Sequence, residues 1–370
     1  MRRDTGISKR VRGLGLGCGV VFTLVSGLLS GCAAVDRDVY ILPDRPGSPG
    51  LVGELSRPDA TRIRRGQLAI EYSPDLDRVT FFGVHNGPSL VHTVGLDREP
   101  ADDGSYTFYG GGYTWNAPQR GEHGWQNDSG EPQDWPPDPA MDAGPSRVVG
   151  RSLHSIVTEN PVGIDGLRQI KTIGLRSGHE ASIEFGIQNN GDEPVRRAQW
   201  TNTAVPPGAR IALKLREGDQ VAQLYSEDPL AVDRINAMLG PIDDQGWAVL
   251  NLTGIDFDGG IKVYTDGPAE IAVWVPNPDW LQTRGFWLHR RLDTPLTIEQ
   301  RSELRSIGEG PVAIYLNPGL ELFEAELYGP ISEIEPGQTS TCTEVWTVYR
   351  ASTPRTLLMR EQNLLPLQGD

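Results

Sequence analysis

Residues 169–188 contain two short alternating runs, Gln169-Ile170-Lys171-Thr172-Ile173-Gly174-Leu175 and Ala181-Ser182-Ile183-Glu184-Phe185-Gly186-Ile187-Gln188, with a polar segment between them. Apolar side chains alternate with polar ones along much of each run, so an extended backbone would have one apolar and one polar face. This period of two is typical of half-buried β-strands joined by turns. The stretch therefore predicts β-structure.

The same pattern recurs from Gln67 onward, bounded by turns such as Asn189-Asn190-Gly191-Asp192. Fifteen such runs predict an all-β protein built as a large sandwich or barrel. One helix is predicted over Pro229–Leu239, where apolar residues recur near the helical period. The predicted strands are Gln67–Tyr72, Arg78–Val84, Ser89–Val94, Arg147–Thr158, Gln169–Leu175, Ala181–Gln188, Val195–Thr203, Arg210–Leu215, Trp247–Leu252, Ile261–Tyr264, Glu270–Val275, Gly285–Arg290, Val312–Leu316, Leu320–Tyr328 and Thr343–Tyr349.

The N-terminus has the layout of a secretory signal, with a basic start and an uncharged run that ends in Leu29-Ser30-Gly31-Cys32. This end resembles a bacterial lipoprotein cleavage box, which implies removal of residues 1–31 and acylation of Cys32. The alternative, a retained membrane anchor, needs about 20 apolar residues, more than this glycine-rich run supplies. Because Ala33 and not aspartate follows Cys32, the resemblance implies an outer-membrane protein facing the periplasm if the host has two membranes.

Residues 32–65 are rich in Pro, Gly, Asp and Arg and lack an apolar period. They predict an extended tether between the lipid anchor and the folded domain. We place that domain at residues 66–350 and a C-terminal tail at 351–370.

The formal net charge of the chain is −15. Residues 1–31 carry five basic and one acidic side chain, so their removal would leave a charge near −19. Such a surface repels phosphate backbones, and we therefore expect no nucleic-acid partner. The sequence does not predict the oligomeric state.

We predict no cofactor, no metal and no internal disulfide. The glycine-rich run Gly13–Gly19 lies in the signal and lacks the strand, helix and acidic residue of a dinucleotide site. The six histidines have no metal-ligand spacing, and Asp256–Gly260 lacks the acidic residue that ends a calcium loop. Once Cys18 is removed and Cys32 acylated, only Cys342 remains.

Residues 101–146 form a long segment without sustained alternation, which is typical of either a functional loop or a disordered one. Disordered segments are poor in aromatic residues. This one contains seven, and we therefore expect it to fold on the sheet and to carry recognition. The seven are Tyr106, Phe108, Tyr109, Tyr113, Trp115, Trp125 and Trp135.

Several motifs resemble a bacterial lipoprotein family whose domain has the galactose mutarotase fold, similar to aldose 1-epimerases. They cover roughly residues 66–350. The resemblance implies a β-supersandwich with a concave sugar-binding face, and no particular reaction. The motifs are Asp77–Gly83, Tyr109-Gly110-Gly111-Gly112-Tyr113-Thr114-Trp115-Asn116-Ala117-Pro118-Gln119, Trp135–Pro145, Phe323-Glu324-Ala325-Glu326-Leu327-Tyr328-Gly329-Pro330, Glu335–Gln338 and Glu344–Trp346.

The resemblance implies that Glu324 is a catalytic base beside the pocket. Alternation places Glu326 on the same face, which leaves open that both carboxylates line a solvated sheet surface. Where aldose 1-epimerases carry a histidine that acts as the general acid, this chain has the sequence Ala198-Gln199-Trp200-Thr201-Asn202. His85 or His154 could replace it, although a lone histidine on a strand is more often structural.

Trp115 and Trp135 are candidates for stacking against sugar rings. The alternative is that some of the tryptophans in the long loop form a small core that orders the loop itself. Gln119 and Asp138 are suited to binding sugar hydroxyl groups, but capping of a turn explains Asp138 equally well. Two functions therefore follow from the sequence. The first is a carbohydrate-binding or sugar-modifying envelope lipoprotein, and the second is a noncatalytic envelope module that binds protein or peptidoglycan.

Overall fold

The computed structural model describes residues 55–351, except 86, 98–106, 122–123, 143, 207, 217–220, 227, 229, 258 and 278–283. The strands are β1 Thr61–Arg65, β2 Leu68–Ser73, β3 Arg78–Val84, β4 Gly112–Ala117, β5 Arg147–Arg151, β6 Ser155–Glu159, β7 Leu167–Leu175, β8 Glu180–Asn189, β9 Val195–Ala204, β10 Arg210–Lys214, β11 Ala222–Ser226, β12 Trp247–Asn251, β13 Ile261–Thr265, β14 Glu270–Pro276, β15 Gly285–Leu292, β16 Val312–Asn317, β17 Leu322–Tyr328, β18 Ser332–Ile334 and β19 Thr339–Ala351. Two helices, α1 Ala231–Met238 and α2 Ile298–Ser306, and a 3-10 turn over Pro318–Leu320 complete the described elements.

These strands form two antiparallel sheets. The first has the order β1-β2-β3-β4-β9-β17-β16-β13-β11, with β18 paired to β9, and the second has the order β12-β10-β14-β15-β19-β8-β7-β6-β5. The predicted all-β sandwich is therefore confirmed. No helix among the described residues is long and apolar enough to span a bilayer.

The core lies between the sheets, where the apolar faces of the alternating strands meet. On the first sheet, Phe82 of β3 packs edge-on against Trp346 of β19 in the second, with ring centroids 4.9 Å apart. Arg290 of β15 also crosses between the sheets, because its guanidinium pairs with Glu344 at 2.5 Å and donates to the Ala325 carbonyl at 2.6 Å. Both side chains of that ion pair are fully buried.

The folded domain begins before the predicted boundary at residue 66. Strand β1, within the predicted tether of residues 32–65, pairs with β2 along its whole length. Ile63 in this strand is 3% exposed. The prediction of a tether is wrong for residues 55–65, because three arginines surround the single buried side chain and hide the apolar period.

Two predicted strands are wrong in form. Residues 147–158 make a hairpin and not one strand, since Ser152 and Ser155 form its turn with a backbone hydrogen bond of 2.8 Å. Residues 89–94 form isolated bridges to two different partners, Gly83 and Gly110. Besides β1, the described part of the chain contains four strands or helices that the sequence patterns missed, namely β4, β11, β18 and α2.

Candidate functional site

A pocket lies on the face of the first sheet that points away from the second sheet, and the strand register assembles it in rows. Trp115 of β4 pairs with Trp200 of β9, which pairs with Tyr328 of β17. Two residues further along each ladder, Glu326 of β17 lies opposite Asn202. These residues come together because adjacent strands place directly opposed side chains on the same face.

The next row brings further polar groups into line. Glu324 of β17 pairs with Tyr315 of β16, which pairs with Lys262 of β13. Lys262 in turn lies opposite Tyr225 of β11. Ala325 and Leu327, which alternate with the glutamates, are fully buried in the core, as the period of β17 requires.

The pocket has a volume of about 700 Å³, within the usual range for small-molecule sites. It is lined by aromatic and charged side chains from both sheet and loop. The aromatic lining residues are Phe108, Trp115, Trp135, Trp200, Tyr225 and Tyr315, and the charged ones are Arg120, Asp134, Lys262, Glu309, Glu324 and Glu326.

Four tryptophans form one cluster at this wall. Trp115 lies edge-on to Trp200 at 4.7 Å and edge-on to Trp135 at 5.8 Å, measured between ring centroids. Trp125 is 3% exposed and stacks on Trp200 at 5.8 Å, so it packs the loop onto the sheet. Trp135, in contrast, is 50% exposed and lies at the pocket wall. It therefore presents the most accessible aromatic surface in the cluster.

A buried ion pair orients Trp115. Its indole Nε1 donates to Asp142 Oδ1 at 2.9 Å, and the same oxygen accepts from Arg78 Nη2 at 2.7 Å. Arg78 also lies 4.2 Å from the centroid of the Tyr113 ring. The Tyr113 hydroxyl donates to Glu324 Oε1. Arg78 and Asp142 thus hold two side chains that shape the pocket while lying beneath it.

Glu326 Oε2 accepts three hydrogen bonds. Trp200 Nε1 donates at 2.8 Å, the Tyr328 hydroxyl at 3.0 Å and Lys262 Nζ at 2.9 Å. Lys262 also donates to the Tyr328 hydroxyl at 2.6 Å and lies 3.9 Å from the centre of the Trp200 ring. Three donors therefore converge on one oxygen of this carboxylate.

Glu324 has a different environment, although it is only two residues away. Burial, and next the charge of Glu326, raise the pKa of Glu324 well above its usual value, while Arg78 acts in the opposite direction. Burial also raises the pKa of Glu309. Glu324 and Glu326 are 6% and 1% exposed. The alternative of a solvated sheet surface is therefore wrong.

Five of the residues singled out in the sequence lie around this pocket, and three do not. The five are Trp115, Gln119, Trp135, Glu324 and Glu326. Asp138 is a capping residue, since its carboxylate accepts from the backbone amides of Ala140 at 2.8 Å and Ile164 at 2.6 Å. Its selection as a ligand-binding residue is corrected accordingly.

Neither proposed histidine lines the pocket. His85 follows the end of β3, and His154 lies in the β5–β6 turn, where Nδ1 is 3.0 Å from the Arg64 carbonyl oxygen. Neither residue is among those that line the pocket; β4 separates β3 from β9 in the first sheet, and β5 and β6 belong to the second sheet. They are therefore wrong as replacements for the missing acid. Cys32, Tyr106 and His123 lie outside the described residues.

Sequence patterns missed Lys262, Trp200, Glu309 and Tyr315 as lining residues. Trp200 stands in the segment where the family resemblance implies a histidine, and its indole hydrogen bond to Glu326 shows that this position does face the pocket. Lys262 could have been suspected only as a lone charge in the apolar run Ile261–Tyr264. In the described part of the chain, no group of three His, Cys, Asp or Glu side chains is arranged to hold a metal.

No protein-family model and no curated protein matches the sequence. The structure is similar to that of a putative aldose 1-epimerase from Escherichia coli K12, with 12% identity, a TM-score of 0.42 and coverage of 78% of this chain and 98% of that one. It is also similar to that of a galactose mutarotase-like protein from Lactobacillus casei ATCC 334, with 9% identity, a TM-score of 0.48 and coverage of 78% of this chain and 100% of that one. A third similar structure is that of a putative mutarotase from Salmonella typhimurium, with 10% identity, a TM-score of 0.40 and coverage of 80% of this chain and 95% of that one. Each likeness is one of architecture.

Proposed function

We propose that the pocket binds a carbohydrate. The observation that carries the proposal is that one cavity of about 700 Å³ is lined both by buried carboxyl groups and by a tryptophan wall, Trp115, Trp135 and Trp200, in which Trp135 is accessible. Indole faces pack well against the apolar C–H face of a pyranose, and carboxylates accept hydrogen bonds from its hydroxyl groups. Trp135, which is 50% exposed, supplies the first kind of contact with Trp115 packed behind it, and Glu324 and Glu326 supply the second.

The two glutamates also support proton exchange at an anomeric centre. The raised pKa of Glu324 favours a protonated carboxyl that can donate to the ring oxygen. Glu326, whose charge Lys262 balances, can accept the proton of the anomeric hydroxyl. Ring oxygen and anomeric hydroxyl share one carbon atom, so both are reachable from one strand. Opening and reclosing of the ring would then interconvert the anomers, with Glu324 as the acid and not as the base that the family resemblance implies.

Binding and turnover are tested separately. Isothermal titration against a panel of soluble oligosaccharides should show binding that Trp135→Ala weakens, with Leu153→Ala as the control because Leu153 is 73% exposed on the β5–β6 turn. NMR of fresh α-glucose and α-galactose should then show acceleration that Glu324→Gln and Glu326→Gln each remove. Absence of binding to every glycan would refute the proposal and favour the noncatalytic interaction module.

We further propose that Cys32 anchors the protein to the cell envelope, facing the periplasm if the host has two membranes. The support is the sequence layout around Leu29-Ser30-Gly31-Cys32. In cell fractionation, the wild-type chain should remain with membranes after a carbonate wash and Cys32→Ser should be released. Retention of Cys32→Ser in the washed membranes would refute the anchor without affecting the carbohydrate proposal.

A further inference from the structure

The charges of the pocket are unequal. Among the described lining residues, four carry carboxyl groups, Asp134, Glu309, Glu324 and Glu326, whereas the cations are Arg120 and Lys262. A site with more carboxyl groups than cations repels an anionic ligand and attracts a cationic one, most strongly where burial lowers the local dielectric.

Both cations are already engaged. Lys262 Nζ contacts Glu326 at 2.9 Å and the Tyr328 hydroxyl at 2.6 Å, and it lies over the Trp200 ring. Arg120 pairs with Asp134 at 3.3 Å, and its guanidinium lies 5.7 Å from the centroid of the Tyr225 ring. An anionic group on a ligand would have to displace these contacts before it could pair with either cation.

The carboxyl groups, in contrast, are not saturated by the cations. Lys262 is shared, because Glu309 Oε2 lies 3.5 Å from its Nζ, beyond the usual length of an N–H···O hydrogen bond. Glu324 accepts a hydrogen bond from the Tyr113 hydroxyl but forms no ion pair with Arg120 or Lys262 in the structure. Aromatic side chains next to these carboxyls add electron-rich faces that attract ammonium groups. Tyr315, directly opposite Glu324 in the ladder, is one of them.

We infer that the pocket prefers glycans that carry a free amino group and excludes those with carboxylate, sulfate or phosphate substituents. The inference rests on the proposed carbohydrate binding and specifies its ligand class. An ammonium group beside Glu309 and Glu324 would favour the charged forms of these two carboxyls, whose pKa burial otherwise raises, while the rest of the sugar packs against the tryptophan wall. With such a ligand, Glu324 would act as a binding carboxylate and not as the acid proposed for neutral sugars. Neutral sugars would bind through the wall and hydroxyl contacts alone.

Isothermal titration with four β-1,4-linked tetrasaccharides tests this selectivity. They are built from glucose, N-acetylglucosamine, glucosamine and glucuronate, and the acetylated form controls for the 2-substituent itself. We expect the glucosamine tetramer to bind about tenfold more tightly than its acetylated counterpart, roughly the gain from one charge-assisted hydrogen bond or cation–π contact. The glucuronate tetramer should show no measurable binding.

Matched variants separate the local site from the overall charge of the protein. Glu309→Gln should reduce the preference for glucosamine over N-acetylglucosamine to about threefold or less, by loss of one of the two carboxyls that face the amine. Glu333→Gln removes the same charge at an exposed position on β18, outside the pocket, and should leave the preference unchanged. An equal loss in both variants would show that net charge alone causes the preference, and would overturn the inference.

The remaining outcomes are also decisive. Equal affinity for the amino and acetylated tetramers, or tighter binding of the glucuronate tetramer, would overturn the charge selectivity and leave carbohydrate binding intact. Failure of all four to bind, together with failure of the wider glycan panel, would refute both proposals. Circular dichroism of each variant confirms that it is folded before its affinity is compared.

Discussion

Replacement of Asp142 by Asn should destabilise the protein strongly, although Asp142 lies outside the pocket itself. The side chains of Arg78 and Asp142 are 0% and 1% exposed, and their closest atoms are 2.7 Å apart. Asn keeps the shape and the oxygen that accepts from Trp115, but it removes the negative charge facing the guanidinium. Breaking a buried ion pair on one side typically costs about 3–5 kcal/mol. This is a large share of the roughly 5–15 kcal/mol that stabilises a typical domain.

Urea denaturation of the wild type, Asp142→Asn and a matched control measures this cost. The control is Asp134→Asn, whose ion pair with Arg120 is 3.3 Å long but more than half exposed on both sides. Because exposed pairs contribute about 0–1 kcal/mol, this variant should unfold close to the wild type. A second replacement, Arg78→Met in the Asp142→Asn background, should restore part of the lost stability, since it removes the buried charge. The reasoning is refuted if the two single variants differ by less than about 1 kcal/mol, below the range for a broken buried pair, or if Arg78→Met restores nothing.

Three further outcomes follow from the site. Trp135→Ala should weaken glycan binding by roughly two- to twelvefold, from the loss of about 0.5–1.5 kcal/mol of stacking beyond burial, measured by titration with unchanged urea stability as its control. The raised pKa of Glu324 means that the folded state holds this proton more tightly than the unfolded chain does. The contribution of Glu324 to stability is therefore greatest at acidic pH, and it falls as the pH rises from the usual glutamate pKa toward the raised pKa of Glu324 in the folded state. Over that pH interval, thermal melts should show Glu324→Gln gaining stability relative to the wild type. Glu326→Gln should move stability the other way by about 3–5 kcal/mol, because Lys262 would stay buried without its closest carboxylate; equal shifts in both variants would show that the two carboxyls share one environment.

Strand β7 was predicted from its alternation between a core face and a less buried face, whereas β2 was predicted although all six of its residues are buried. In β7, buried and partly exposed residues alternate from Leu167 to Leu175, and the prediction of Gln169–Leu175 falls within it. In β4, all six residues from Gly112 to Ala117 are buried, since the core covers one face and the tryptophan cluster the other. A strand buried on both sides has no alternation for a period of two to detect.

Helix α2 was missed for a related reason. Leu304 is its one buried residue, so the apolar stripe that predicts an amphipathic helix is absent. Its start was nevertheless visible in the sequence. Thr297 accepts from the Gln300 amide, while the Gln300 side chain accepts from the Thr297 amide, as in a capping box. Attention to caps as well as to period would have located this element.

The candidate site was only partly predictable because its parts meet through strand order. Alternation along β17 was enough to place Glu324 and Glu326 on one face, since both belong to one strand. Lys262 is 64 positions before Glu326 in the chain, and its approach requires β13, β16 and β17 to be neighbours. Strand order of this kind is not encoded in local period. The same holds for Asp142, which lies in an irregular segment and reaches Trp115 only once that segment has folded onto the sheet.

The strand register also explains how two glutamates that are so close in sequence can have different chemical roles. Residues i and i+2 on a strand are about 7 Å apart, which moves each to a different cross-strand row. The Glu326 carboxylate lies between two rows, so that Trp200 and Tyr328 reach it from one side and Lys262, from the row of Glu324, reaches it from the other. At the row of Glu324, the Tyr113 phenol donates and burial dominates. No histidine is among the described residues that line the pocket. A difference in environment can nevertheless divide the acid and base roles between two carboxyl groups.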